Sequence, residues 1–274
     1  MKKILKKILR KISKIIVKVL SLNKFSDFFL DNIIQLSFDR KKSIIHKNKK
    51  ILFYTPNVLC NWRAKTFSTK EPETLKWIES FSENSCVWDV GANIGIYSIY
   101  SGLLDHKVYS FEPSFSNLEI LAKNINLNNL NEKVTILPVA LNDKSKISEL
   151  SLSDFKWGAA HSVFEKKFGW DGNDLNTSLS YKTIGLSIDD VFNFFQLSSP
   201  EYIKIDVDGI ENLILSGGIN TIIKAKSILI EVTKNFKSQS IGVRNILENL
   251  DFHLVNEIKT SEDSYNQICN KRIK

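Results

Sequence analysis

From Cys86 to Ile258 the chain alternates short apolar runs with amphipathic helical stretches, and this alternation restricts the fold more than any other feature. The runs "CVWDV", "KVYSFE", "VTILPVAL", "YIKIDV", "SILIEV" and "FHLVNEI" have the length and composition of strands. Helices are expected at 94–103, at 114–128, over "SIDDVFNFF", from about 210, and over "IGVRNILENL". Strands alternating with helices build βαβ units, so the expected class is α/β, a mostly parallel sheet with helices on both faces. An insertion at about 145–185 interrupts the pattern, with "ISELSL" and "SYKTIGL" as extra strands. Upstream, "ILFYT" reads as a strand ended by Pro56-Asn57, and Pro72 opens a helix over "TKEPETLKWIESF".

At 274 residues and 43% hydrophobic content the chain can enclose one large core. Cys60, Cys86 and Cys269 have no paired spacing, which fits neither a disulfide framework nor a zinc site and suits a reducing compartment. The net charge of +8 is local. Of 38 basic residues, eight fall in the first twenty positions, leaving 30 against 30 acids, so no nucleic-acid partner is expected.

That first segment, "MKKILKKILRKISKIIVKVL", sets its cations on one half of a helical wheel and nearly all its aliphatics on the other. Lysines every few residues exclude a signal peptide and a membrane-spanning helix. Two readings stand: a helix lying on an anionic membrane surface through residues 1–20, or one whose stripe packs on protein. Residues 1–50 are expected to be this helix and a helical, basic connector, and 51–274 the main domain. The expected location is cytoplasmic, peripheral at the inner membrane face.

The turn "CVWDVGANIGIYSIY" closes the first strand of the alternation and opens a helix. Asp89 ends the strand, and Gly91, Ala92, Asn93 and Gly95 allow backbone to approach a ligand. The spacing is not the G-x-G-x-x-G of dinucleotide sites. A carboxylate here suits an ammonium and repels a pyrophosphate. Glu112, ending the next strand, is placed to accept two ribose hydroxyls, as NAD sites also require. Together the two signals favour S-adenosylmethionine.

"WDVGANIGIYSIY", "FEPSFSNLEILAKNINLN" and "LSIDDVF" leading into "IKIDVDGIENLILSGG" closely resemble the FkbM family of methyltransferases from about Lys70 to Val232. The resemblance implies a seven-stranded class I methyltransferase (Rossmann-like) fold with S-adenosylmethionine as cofactor. It implies O-methylation, often of sugars on bacterial glycolipids, polysaccharides or secondary metabolites. It places Gly91, Ala92, Asn93 and Gly95 in the cofactor loop and Glu112 on the ribose. The family's usual "KIDVEG" reads "KIDVDG" here, shortening the acid at Asp208.

In "YIKIDVDG", Lys204, Asp206 and Asp208 alternate with Ile203, Ile205 and Val207, which would put the charges on one face of a central strand. With Glu231 and Glu211 they form either a structural ion network or the acceptor side of the site. Asp206 is the first candidate for the base that takes the acceptor's proton, His161 in the insertion the second, with Lys204 alongside. Asp208, Glu211, Glu231 and Trp157 are candidate substrate contacts, Trp157 within an aromatic cluster suited to stacking on sugar rings. Asp206, Asp208 and Glu231 could instead hold a divalent metal, although no metal site is the expectation. Arg63, Lys65 and Lys70 could meet a phosphate or the cofactor carboxylate. The expected acceptor is a sugar or glycolipid. A secondary-metabolite methyltransferase, or a membrane-recruited binding protein without chemistry, are the alternatives.

Overall fold

The computed structural model describes residues 2–22 and 24–272. Met1 and the side chains of Lys2 and Lys3, part of the expected basic helix, lie outside that description. The chain begins with α1 (Lys2–Leu20) and α2 (Lys24–Phe38). An antiparallel hairpin follows, β1 (Lys41–His46) and β2 (Lys49–Tyr54). Then come α3 (Val58–Lys65), α4 (Phe67–Lys70) and α5 (Pro72–Glu79). The alternating part runs β3 (Cys86–Val90), α6 (Ile96–Leu103), β4 (Lys107–Phe111), α7 (Phe115–Leu127) and β5 (Val134–Leu137). The insertion holds β6 (Ala140–Asn142), β7 (Lys146–Leu152), β8 (Ser162–Phe164) and β9 (Leu179–Ser187). Alternation resumes with α8 (Ile188–Phe194), β10 (Tyr202–Ile205), α9 (Glu211–Ser216), α10 (Ile219–Ile222) and β11 (Ser227–Thr233). It ends with α11 (Lys237–Asn249), β12 (Phe252–Lys259) and β13 (Ser264–Lys271).

The central sheet has seven strands in the order β12-β13-β11-β10-β3-β4-β5. Strands β11, β10, β3, β4 and β5 are mutually parallel, and β13 runs against both its neighbours. From β3 the chain first builds outward through β4 to β5, then crosses back to place β10 on the other side of β3. The topological switch therefore lies between β3 and β10, and ligands of such sheets bind beyond the carboxyl ends of the strands there.

Burial on both faces explains why "CVWDV" is almost wholly apolar. Val87 packs with Val108, Leu229 and Ile99 on one face, and Trp88 and Val90 pack with Phe111, Ile203 and Ile205 on the other. Trp88 is fully buried; a tryptophan of roughly 200 Å² contributes ~5 kcal/mol at about 25 cal/mol per Å². The insertion closes a second sheet, ordered β6-β9-β7-β8.

The structure departs from the expectations in four places. The basic connector before residue 50 contains β1, whose hairpin partner β2 crosses that position, turning through Lys47 and Asn48 in the left-handed region. "VTILPVAL" is two strands in two sheets, because Pro138 interrupts the run and β6 pairs with β9. The alternation of "YIKIDVDG" stops at Ile205, so Asp206 and Asp208 stand beyond the strand, in the turn before Gly209. Strand β13 was not read from the sequence, its "SYNQICNK" being mixed in character.

Candidate active site

A cleft of about 550 Å³ opens at the carboxyl ends of β3, β4, β10 and β11, with the insertion as one wall. Gly91, Asn93, Glu112, His161, Asp206, Asp208 and Glu231 all line it. A smaller cavity beneath the turn is lined by Arg63, Lys70, Ala92, Tyr97, Lys204 and Asp206.

The turn after β3 is held by its own hydrogen bonds. The amides of Gly91 and Ala92 both donate to the Phe111 carbonyl at 3.0 Å, and that of Gly95 to Ala92 O at 2.8 Å. The Asn93 amide donates to Glu112 Oε2 at 2.7 Å, and the Ile94 amide to Asn93 Oδ1 at 2.9 Å. Five successive N–H groups are thus satisfied within the protein. A phosphate-binding turn presents such groups to its ligand, so this turn does not have that form. Gly91 is required by geometry: its φ is +83°, and a Cβ there would collide with the Asp206 carbonyl. Gly95, at φ +85°, begins α6 in the left-handed region, with Leu121 against it.

Glu112 is buried, and both its oxygens already accept a backbone amide, Asn93 at 2.7 Å and Ser114 at 2.9 Å. Burial pushes its carboxyl up to about 7. The Asn117 side chain also bonds this carboxyl, and the acceptor capacity left on its two oxygens suits a hydroxyl donor such as a ribose. Asn117, from the buried face of α7, ties the turn to the insertion. It and Asn93 both donate to Ala159 O, at 3.1 and 2.7 Å. Asn117 also accepts from the Gly158 amide at 2.9 Å.

Beneath the turn, the sheet register puts Lys204 beside Asp89, and Lys204 Nζ lies 2.6 Å from Asp206 Oδ2 and over the Tyr97 ring. Burial would lower the Lys204 pKa, but the charges of Asp206, Asp89 and Glu71 hold it above the ordinary value. Burial would raise Asp206, yet Lys204, Lys70 and Arg63 keep its carboxyl below the usual range. Asp89 is 2% exposed and stands off the wall of the cleft, accepting from Ser98 Oγ at 2.5 Å. Its Oδ1 has no hydrogen-bond partner among the described residues, and burial raises its pKa. Its carboxyl is therefore placed beneath the cleft and not on its wall.

On the far side, His161 Nδ1 lies 3.3 Å from Asp208 Oδ1, while Asp208 Oδ2 accepts the Ser162 amide at 2.8 Å. The bond to Asp208 raises the His161 pKa. His161 is itself in the left-handed region, φ +64°, a strained setting for a residue lining a cleft. Among the described residues nothing bonds its Nε2.

The remaining expected residues are divided. Glu231 lines the cleft and accepts from Thr260 at 3.1 Å; burial, then Asp206 and Glu211, push it to about 9. Glu211 is 1% exposed behind the wall, bonded by Gln239 at 2.7 Å, and burial pushes it to about 8. Trp157 is not brought to the cleft. Its ring meets Phe38 edge-on at 4.8 Å, and its Nε1 donates to Glu119. Trp62 and Trp170 line the cleft in its place. Among the described residues no group of three or more His, Cys, Asp or Glu side chains is arranged to hold a metal ion, so Asp206, Asp208 and Glu231 do not form such a set.

Sequence reasoning missed Glu71, 4% exposed, which accepts from Lys70 and Asn266 and faces Lys204 and Tyr97. An acid before Pro72 reads as an ordinary helix start, and only its contact with distant β13 reveals its burial. It also missed Asn117, whose signal was present: a polar residue on a helix face that should be apolar.

A seven-stranded sheet with this order and one reversed strand, and a glycine turn facing an acid at the end of the next strand, define a Rossmann-like methyltransferase fold. The model of the methyltransferase FkbM domain matches residues 89–254, and the chain belongs to the FkbM methyltransferase family. It is 23% identical over 173 residues to the hexuronic acid methyltransferase AglP of Haloferax volcanii, over 62% of this chain. The chain spans 65% of that relative, just under two thirds of its length. Among solved structures it is similar to the fibrillarin pre-rRNA processing protein of Methanococcus jannaschii, with TM-score 0.47 and 11% identity, over 87% of this chain and 85% of that one. It is also similar to M. capricolum TrmK in complex with S-adenosyl-homocysteine, with TM-score 0.44 and 14% identity, over 73% and 67%.

Proposed function

We propose that the protein transfers a methyl group from S-adenosylmethionine to a hydroxyl of a sugar. The observation that carries this reading is that one cleft holds both Glu112, a buried carboxyl with acceptor capacity left for a hydroxyl donor, and a His161–Asp208 pair whose Nε2 is open. The internally satisfied turn supports a ligand without phosphate at that position. Glu112 takes the ribose, and Arg63, Lys70, Lys204 and Asp206 around the smaller cavity take the charged amino-acid end. Asp89 adds a negative field beneath them.

When bound, S-adenosylmethionine supplies a methyl carbon made electrophilic by a cationic sulfur. That carbon would pass to the acceptor oxygen, the electron pair of the broken carbon–sulfur bond staying on sulfur. The hydroxyl proton passes to His161 Nε2. Asp208, on Nδ1, fixes the ring and stabilises the imidazolium, the arrangement general-base catalysis requires. His161 suits this role better than Asp206, because Asp206 is already committed to Lys204 and its carboxyl is held low. Glu231, protonated near neutrality by its burial, can donate to an acceptor oxygen. Trp62 and Trp170 offer faces for a sugar ring. The hexuronic acid methyltransferase to which the chain is similar acts, by its name, on a sugar acid, which supports a carbohydrate acceptor.

Calorimetry with S-adenosyl-homocysteine, followed by label transfer from methyl-labelled donor to a panel of sugars and uronic acids, tests the reading. Binding of the nucleoside together with labelled sugar is the expected result. No binding at millimolar ligand overturns the donor, and binding with transfer only to non-carbohydrate acceptors overturns the sugar.

A further inference from the structure

Helices α1 and α2 play no part in the chemistry above, yet they carry the largest run of uncovered apolar side chains. On α1, Ile4, Leu5, Leu9, Ile15 and Val19 are each more than half exposed. On α2, Phe25, Phe28, Phe29, Ile33 and Leu36 recur at three- and four-residue spacing and are 81%, 68%, 51%, 43% and 72% exposed. Apolar surface on this scale marks a contact face. No helix among the described residues is long and apolar enough to cross a membrane.

Charge selects the occupant. Lys6, Lys7, Arg10, Lys11, Lys14 and Lys18 line the other side of α1, and the helix contains no acid. The acids of α2, Asp27 and Asp31, fall on the side away from the phenylalanines. A second copy would bring two such cationic helices together, whereas an anionic bilayer neutralises them.

We propose that α1 and α2 together form a two-helix element that docks on an anionic lipid surface, apolar residues at the acyl boundary and cations among the headgroups. Both helices contribute, α2 adding 15 residues to the 19 of α1, so the docking element is longer than the basic segment alone suggests. Its far end is joined to the cleft. Phe38 closes α2 against Trp157, with Lys123 Nζ 3.4 Å above the Phe38 ring. The neighbouring Gly158 carbonyl accepts from Arg63 Nε at 2.8 Å, and Arg63 lines the cleft. Docking therefore holds the acceptor wall beside the bilayer, where a lipid-linked sugar is presented. This last step rests on the methyl-transfer reading; the docking itself does not.

The test floats the full chain with vesicles of phosphatidylcholine alone or mixed with phosphatidylglycerol. The expected result is partition about tenfold or more higher onto the anionic vesicles, falling as salt rises. Two variants are each expected to lose most of it: Lys7→Glu with Lys11→Glu and Lys14→Glu, and Phe28→Asp with Phe29→Asp. Calorimetry with S-adenosyl-homocysteine on both variants shows that the domain remains folded. Equal partition onto neutral and anionic vesicles, or variants that float like the parent, overturns the proposal. So does a dimer in sedimentation velocity that depends on α1 and α2 and comes without vesicle binding. Nucleoside binding without flotation sinks the docking alone; flotation without nucleoside binding sinks the methyl-transfer reading alone.

Discussion

Lys204→Met removes the one cation buried among Asp89, Asp206 and Glu71 while keeping a stem of similar length. In the parent, Nζ sits 2.6 Å from Asp206 Oδ2, and only 3% of the side chain is exposed. The variant leaves the buried Asp89 and the half-buried Asp206 without that counter-charge; breaking a fully buried pair on one side costs about 3–5 kcal/mol, and solvent at Asp206 brings this down to about 2–3 kcal/mol. A chain of 274 residues unfolds with about 0.6 kcal/mol per kelvin of entropy, at ~2.1 cal/mol/K per residue, so Tm should fall by about 3–5 °C. The pH dependence follows in sign. Asp206 is held below its unfolded value, so its contribution is present above that value and is lost as pH falls through the folded one. In the variant, burial acts on both carboxyls without the Lys204 charge and raises them. Folding then favours their protonation, and the deficit narrows as pH falls toward ~4. Differential scanning calorimetry across pH reads both effects, and adding Asp206→Asn to the variant should restore part of the loss. A variant melting within about 1 °C of the parent at neutral pH refutes the reasoning, as does a deficit that widens in acid.

His161→Ala should lower kcat by about 10²–10⁴-fold and leave the Kd for S-adenosyl-homocysteine in place; an unchanged kcat moves the proton to another group. Because Asp208 raises the His161 pKa, kcat should climb with pH on a limb above the ordinary histidine range. Asp208→Asn should shift that limb to lower pH, and a limb that stays put dismisses the pair. For Glu112, whose carboxyl burial pushes to about 7, hydroxyl donors favour the ionised form, so nucleoside affinity measured by calorimetry should rise as pH passes through 7. Glu112→Gln should weaken binding by about 10- to 100-fold, from the loss of charged hydrogen bonds, and flatten that pH dependence; affinity that falls with rising pH in the parent would contradict it.

What the sequence made legible is what short spacing encodes. The apolar runs and intervening helices of the parallel sheet are local patterns, as are Gly91, Gly95 and the acid at 112. Strand β1 escaped because "KKSIIH" is exposed at every second position and its turn, Lys47-Asn48, lacks the glycine that signals a hairpin. His161 and Asp208 were each visible, but their pairing spans 47 residues and depends on how the insertion folds back. Trp157 was grouped with the other insertion aromatics by composition, which cannot tell a ring facing the cleft from one packed on Phe38. Glu71 stayed hidden for the same reason: its neighbour Asn266 arrives 195 residues later.

The carbonyl of Ala159 receives two side-chain donors, Asn93 from the donor turn and Asn117 from α7. One oxygen thus latches the insertion to the glycine turn after β3 and to α7. On the methyl-transfer reading proposed above, an acceptor that moves the insertion should change nucleoside affinity through this latch, and linkage would make the effect equal in both directions. Calorimetry with S-adenosyl-homocysteine, with and without acceptor, would then read acceptor occupancy without any turnover.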